Sequence, residues 1–182
     1  MTTLKPRLLN HYAYDCNTFI ETGTAKGEGV QLAIAHGFTD IFSIEANPDT
    51  WRAANERFIS VPNVQILLGD SRVVLPDLLH GIDGKACFWL DAHWSTGEPE
   101  LGNGVSKCPL LDELTQIGKH HNKNHTIMID DIRYFRRSGL PKWGCILLAD
   151  ILDAIMQINR RYCARLEDTD FPLDALIAWI HD

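Results

Sequence analysis

Five short apolar runs between Thr18 and Asp130 each finish on a carboxylate or reach one within two residues, and this pattern constrains the fold more than any other. The runs are Thr18 to Glu21, Ile41 to Glu45, Val64 to Leu68 with Asp70 just beyond, Ala86 to Asp91, and Thr126 to Asp130. Their length and β-branched or aromatic content predict strands. The runs before Asp91 and Asp130 are continuously apolar, as parallel strands covered on both faces must be. Helix-period segments lie between them. Asn47-Pro48-Asp49 supplies an N-cap, a proline at the first helical position and an acid in the first turn, and Trp51, Ala54 and Phe58 follow on one face. Val30 to Ala35 ends at Gly37; Pro109 opens a segment carrying Leu110, Leu114 and Ile117; Leu148, Ile151, Leu152 and Ile155 mark another. Tyr162 to Glu167 and Ala175 to Ile180 then read as a closing antiparallel pair. The prediction is a three-layer α/β fold with a mostly parallel seven-strand sheet and a C-terminal hairpin.

In an open parallel sheet the ligand crevice lies outside the carboxyl ends of the strands, so Glu21, Glu45, Asp70, Asp91 and Asp130 should crowd one site. Their repulsion calls for a cationic occupant. Any one of them could instead end its strand as a helix cap or turn former. A net charge of -7 argues against a nucleic-acid partner. No apolar run approaches the roughly 18 residues of a membrane span and the N-terminus lacks a signal-peptide pattern, so the expected location is cytoplasmic. The five cysteines are odd in number and include no C-x-x-C, which indicates neither a disulfide framework nor a structural zinc. With 182 residues and no linker or repeat, the chain reads as one domain, 1–182, behind a short polar lead, 1–16.

The loop Glu21-Thr22-Gly23-Thr24-Ala25-Lys26-Gly27-Glu28-Gly29 places glycines where a strand turns into a helix. It is neither G-x-G-x-x-G nor G-x-x-x-x-G-K-[ST], and its acids would repel a pyrophosphate. Glu45 stands about 20 residues on, where a carboxylate can accept both hydroxyls of an adenosine ribose. The run FIETGTAKGEG resembles the first motif of class I S-adenosylmethionine-dependent methyltransferases, and SIEANPD resembles their second. The likeness continues through VQILLGDS and FWLDAHW to MIDDIRYF, covering roughly residues 17–135. It implies the Rossmann-like class I fold and a sulfonium cofactor held by Glu21, Gly23, Thr24, Gly27, Glu45, Ala46, Asp70, Ser71, Asp91 and Trp94.

Within that class the chain resembles the metal-dependent O-methyltransferases of catechol and macrolide-sugar type. The resemblance implies a magnesium ion on Asp91, Asp130 and Asp131, and three hard oxygen ligands from adjacent strand ends suit such an ion. An alternative is that Asp130 caps the turn, Asp131 is solvated and Asp91 neighbours the cofactor. The catechol enzymes carry a lysine shortly after the first metal aspartate, whereas this chain reads Asp91-Ala92-His93-Trp94. His93 is then the candidate base, and Asp91 its catalytic companion, although His93 could equally bind the metal or pack with Trp94 beside the adenine. The stretch LDAHW to CPLLDEL also resembles short bacterial methyltransferase-like proteins reading LDAHYSGG followed by PxxxEL.

The remaining candidates receive blander expectations. Ser95 to Cys108 reads as a loop over the site. His120, His121 and His125 read as a solvated loop at the opposite edge of the sheet, and Arg133, Arg136 and Arg137 as surface charge. Cys87, Cys145 and Cys163 read as packing residues, with Cys108 near the mouth. The expected activity is O-methyl transfer to a small molecule or glycan. Its rivals are a metal-independent methyltransferase using His93, an NAD- or nucleotide-sugar-binding oxidoreductase, and a scaffold that kept the fold without catalysis. Because so little chain precedes the first strand, Tyr12, Tyr14, the 95–108 loop or the partner subunit of a homodimer would have to cover the pocket.

Overall fold

The computed structural model describes residues 3–92, 108–136 and 143–181. Helix α1 (Pro6–Tyr12) precedes strand β1 (Thr18–Thr22), and then α2 (Glu28–His36), β2 (Asp40–Glu45), α3 (Pro48–Phe58), β3 (Val64–Leu68), α4 (Ser71–His80) and β4 (Ala86–Leu90) alternate. After α5 (Leu110–Lys119), β5 (Thr126–Ile129) and a 3-10 turn (Ile132–Tyr134) come α6 (Leu148–Ile158), β6 (Cys163–Glu167) and β7 (Ala175–Trp179). The strands form one sheet in the order β3-β2-β1-β4-β5-β7-β6. All pairs are parallel except those of β7 with β5 and β6.

The order reverses between β1 and β4. Chain leaving β1 proceeds outward through β2 and β3, and chain arriving at β4 proceeds the other way, so a crevice opens at the carboxyl ends of these two strands. Register sets its floor: Thr22 of β1 lies between Ile44 of β2 and Leu90 of β4. Side-chain alternation along the central strands feeds two cores. Ile20, Phe88, Leu90, Ile127 and Ile129 face α4, α5 and α6, whereas Phe19, Cys87, Trp89 and Met128 face α1, α2 and α3.

Local chemistry ends the helices where the sequence signals it. The Asn47 side chain accepts from the N–H groups of Asp49 and Thr50 at 2.9 and 3.1 Å, and Gly37 closes α2 in the left-handed region at φ 98°. Two expectations are corrected. Residues 6–12 of the expected polar lead form a helix that buries Leu8, Leu9 and Tyr12. It is fastened to the β6-β7 hairpin by Arg7 to Glu167 at 3.0 Å, the Tyr12 hydroxyl to Glu167 at 2.6 Å and Lys5 to Asp170 at 2.5 Å. Cys145 and Cys163, expected to pack, are exposed, the second because β6 is an edge strand, while Cys16, Cys87 and Cys108 are buried.

A third correction concerns the histidine segment. His125 is fully buried and His120 nearly so. The Ala86 N–H donates to His125 Nδ1 at 3.1 Å, His125 Nε2 meets His120 Nδ1 at 2.9 Å, and His120 Nε2 meets the Ile82 carbonyl at 2.7 Å. Along these three links the donors run one way, with His125 Nε2 donating to His120 Nδ1 and His120 Nε2 donating to the Ile82 carbonyl. The pair joins the amino ends of β4 and β5, far from the crevice. Among the described residues, no helix is long and apolar enough to cross a membrane.

Candidate active site

The turn out of β1 is shaped by three glycines. Gly23 sits at φ 89°, and a Cβ there would lie 2.6 Å from the Asp91 carbonyl oxygen, so only glycine lets the β1 turn nest against the end of β4. Gly27 caps α2 at φ 74°, with the Phe58 ring where a Cβ would go. At Gly29 the obstacle is the Glu21 carboxyl.

Glu21 is buried beneath this loop. It accepts from the Ser43 hydroxyl at 2.6 Å, and Thr24 Oγ1 lies 2.7 Å from the same hydroxyl, so Glu21, Ser43 and Thr24 form one network under the crevice. Burial first, and then the charge of Glu45, push the Glu21 carboxyl up to about 8. Glu45 ends β2 with one oxygen accepting from Ala25 N–H at 3.0 Å and the other from Asn47 N–H at 2.9 Å. Those bonds hold the carboxylate at the lip, and each oxygen retains a lone pair for a ligand hydroxyl. Ala46 follows it, exposed.

Beyond β3, Asp70 caps α4 through the Arg72 N–H at 2.9 Å and takes the Arg72 guanidinium as a fork, with Nε at 2.9 Å and Nη2 at 2.5 Å. This side chain hydrogen bond is the first cause holding Asp70 below the usual carboxylate range. A ligand amine reaching Asp70 would share it with Arg72. Ser71 beside it is buried.

Asp91 and Asp130 lie one residue past β4 and β5, as the sequence places them. Asp91 is pushed well above the carboxylate range by burial, then by Asp130, Asp131 and Glu21. Asp130 accepts from the Thr3 hydroxyl at 2.5 Å and from Asp131 N–H at 2.8 Å, and burial pushes it up to about 6. A closer triad joins it: single oxygens of Asp130, Asp131 and Asp174 lie within 4.8 Å of one another. Arg133 bridges this group, with Nη2 2.5 Å from Asp131 Oδ1 and Nη1 on Asp174. Its guanidinium carbon stands 4.5 Å from the Tyr134 ring centre and 4.2 Å from that of Phe171. Arg133 is therefore built into the acid cluster, a correction to its reading as surface charge.

His93, Trp94 and the segment up to 107 lie outside the described residues, as does Arg137. Three residues beside the crevice were given no role by the sequence reading. Asp174 and Thr3 arrive from the two ends of the chain and carry no local signal. Glu113 did carry one: with Leu110, Leu114 and Ile117 it falls at i, i+3, i+4, i+7 on the apolar stripe of α5, where a carboxylate is out of place.

No protein-family model matches the sequence, and no curated protein sequence does. Solved structures do match. The Podospora anserina methyltransferase PaMTH1, determined with S-adenosylhomocysteine bound, is 16% identical over 91% of this chain and 72% of its own, with a TM-score of 0.62. A candidate caffeoyl-CoA O-methyltransferase from Staphylococcus aureus is 12% identical over 97% of this chain and 80% of its own, at 0.61. The fold is that of the class I methyltransferases. A TehB-like S-adenosylmethionine-dependent methyltransferase from Corynebacterium glutamicum shares this methyltransferase fold at 14% identity, over 97% of this chain and 86% of its own, with a TM-score of 0.57. At the crevice of such a fold, the chain offers a carboxylate at the β2 lip, a glycine turn in close backbone contact with β4, and acids whose charges oppose one another.

Proposed function

We propose that the chain is an S-adenosylmethionine-dependent O-methyltransferase acting on a hydroxyl of a small molecule or glycan. The observation that carries this reading is the set of acids gathered around the switch point: Glu21 and Asp91 are raised first by burial, and then Glu21 by Glu45 and Asp91 by Asp130, Asp131 and Glu21. A sulfonium relieves that repulsion, whereas a dinucleotide pyrophosphate adds to it. Glu45 accepts from the ribose hydroxyls, the Gly23 turn and Thr24 line the path of the methionine portion, and Asp70 with Ser71 borders the adenine. When bound, S-adenosylmethionine would supply the methyl group for in-line transfer to the acceptor oxygen and would leave as the neutral thioether. The hydroxyl proton would pass to a base, for which His93 is the candidate by its place two residues after Asp91.

A divalent cation fits the chemistry of the donor set, which is all carboxylate, and Asp91 with Asp130 would hold it, joined by Asp131 where Arg133 yields. When bound, magnesium lowers the pKa of an acceptor hydroxyl and orients its oxygen. The bridging of Asp131 and Asp174 by Arg133 favours a second reading, in which the guanidinium supplies the positive charge and transfer needs no metal.

Calorimetric titration with S-adenosylhomocysteine, with and without magnesium, separates these readings. Binding should appear without metal, and Glu45→Ala should weaken it by about 1 to 3 kcal/mol, the cost of a lost charged hydrogen bond. Tight NADH binding with no response to either adenosyl ligand would reject the methyltransferase reading. Manganese that binds the wild type but not Asp91→Asn supports the metal; turnover untouched by a chelator favours Arg133.

A further inference from the structure

Glu113 is 1% exposed, in the first turn of α5, on a face otherwise made of leucine and isoleucine. Glutamate is almost never buried so completely unless it is paired. Leucine at this position would complete the apolar stripe without any desolvation cost. The groups next to Glu113 are the hydroxyls of Thr22 and Ser71, which lower its pKa, while burial, the dominant effect, pushes it up to about 7. Asp70 opposes its charge and Arg72 favours it, both from the start of α4; Asp112 on its own helix acts on Arg72 by its charge. Across a small cleft that Glu113 lines with Leu90, Ala92 and Cys108 stands Asp130.

Thr22 Oγ1, Ser71 Oγ and Glu113 Oε1 are all fully buried, and none closes a hydrogen bond of good geometry. Three such atoms in one place are costly, because each buried polar group left unsatisfied keeps its full desolvation penalty. Their sequence neighbours explain the location. Thr22 precedes Gly23 and its carbonyl accepts from Asp91 N–H at 3.1 Å; Ser71 follows Asp70, and Gly69 N–H holds the Glu45 carbonyl at 2.9 Å. The two hydroxyls therefore sit under the two flanks of the crevice, and α5 reaches both with one side chain.

We propose that Glu113 is a positioning residue that ties the end of β1 and the start of α4 to α5 through the hydroxyls of Thr22 and Ser71, and so shapes the cofactor's site. The inference rests on the methyltransferase reading, because the ligand it prepares for is the adenosyl cofactor. Glu113 touches no substrate and acts through the two residues that adjoin Gly23 and Asp70. Its loss should appear in cofactor affinity and not in stability, since an apolar side chain fills the same space at no cost to the core.

The test measures S-adenosylhomocysteine affinity by calorimetry and the melting temperature of the ligand-free protein for four chains. Relative to wild type, Glu113→Leu should bind at least tenfold more weakly while melting within a few degrees. Glu113→Gln, which can still bond a hydroxyl, should bind within about threefold. Thr22→Val with Ser71→Ala, which keeps the carboxyl and removes its partners, should match the loss of Glu113→Leu and so carries the test should the leucine variant not fold. Unchanged affinity in Glu113→Leu or in the hydroxyl double variant overturns the proposal, as does a melting-temperature drop with affinity intact. A wild type that binds no adenosyl ligand overturns this inference together with the function beneath it, whereas a wild type that binds beside variants that bind equally well overturns this inference alone.

Discussion

Gly29 has no side chain because Glu21 occupies the place of one. A Cβ there would stand 1.8 Å from Glu21 Oε1, and the carboxyl has little room to yield, being buried and held by Ser43 at 2.6 Å. Gly29→Ala should therefore destabilise the protein by about 1 to 3 kcal/mol through overpacking. Glu21→Ala removes the obstacle, so the double variant should be more stable to urea than the sum of the two single losses allows; additive losses would show that the two sites do not touch. This contact was illegible in the sequence, where the same glycine reads as part of a turn, because it joins a strand to a helix eight residues on through space. Glu45 was legible, since its place at the end of β2 follows from strand length alone. Asp70 was legible in position, but its fork with Arg72 was not: side-chain pairing two residues apart depends on rotamers that no periodicity encodes.

At the scale of elements, the seven strands and the helices after β1, β2, β4 and β5 were readable to within a residue or two at most boundaries, because alternation and caps are local signals. Helix α1 was not. Seven residues give a period of 3.6 too few turns to show, and its partners, Glu167 and Asp170, lie about 160 residues away. The structure makes it part of the core on the α2 and α3 side, with Leu8 completely buried. Leu8→Ala should accordingly cost about 2 to 5 kcal/mol in urea unfolding, the range for a large-to-small change in a packed interior. A loss under about half a kilocalorie would mean that α1 is the loose lead its polar residues imply. Because Thr3, just ahead of α1, bonds Asp130, the same variant should also disturb the acid cluster, read as weaker manganese binding if a metal sits there.

The whole molecule carries buried titratable groups of both kinds, and their signs set its pH dependence. His125 is lowered from 6.5 to about 3, chiefly by burial, so between those values the unfolded chain holds a proton that the folded one lacks. Its contribution is present above pH 6.5 and drains away as pH falls toward 3. Glu21 and Glu113 act oppositely. Their carboxyls rise from 4.5 to about 8 and about 7, so the folded chain holds protons that the unfolded one has lost, and their contribution drains away as pH rises through those values. Between pH 4.5 and 6.5 Glu21 and Glu113, joined by the raised Asp91 and Asp130, oppose one histidine, and stability falls with rising pH; in stronger acid the histidine acts together with Asp70 and Glu167, whose carboxyls are held low, and stability falls with acid. The ligand-free protein should thus be most stable on the acid side of the range usual for proteins. Melting temperatures from pH 4 to 8 check this at the resolution of roughly one pH unit. Glu21→Gln and Glu113→Gln should each flatten the neutral limb, and His125→Gln should flatten the acid limb. Saturating S-adenosylmethionine should move the maximum toward neutrality, because a sulfonium beside Glu21 favours its ionised form. A ligand-free maximum at pH 7 would mean that these carboxyls are ionised in the folded state, and that the crevice holds its negative charge without waiting for a cation.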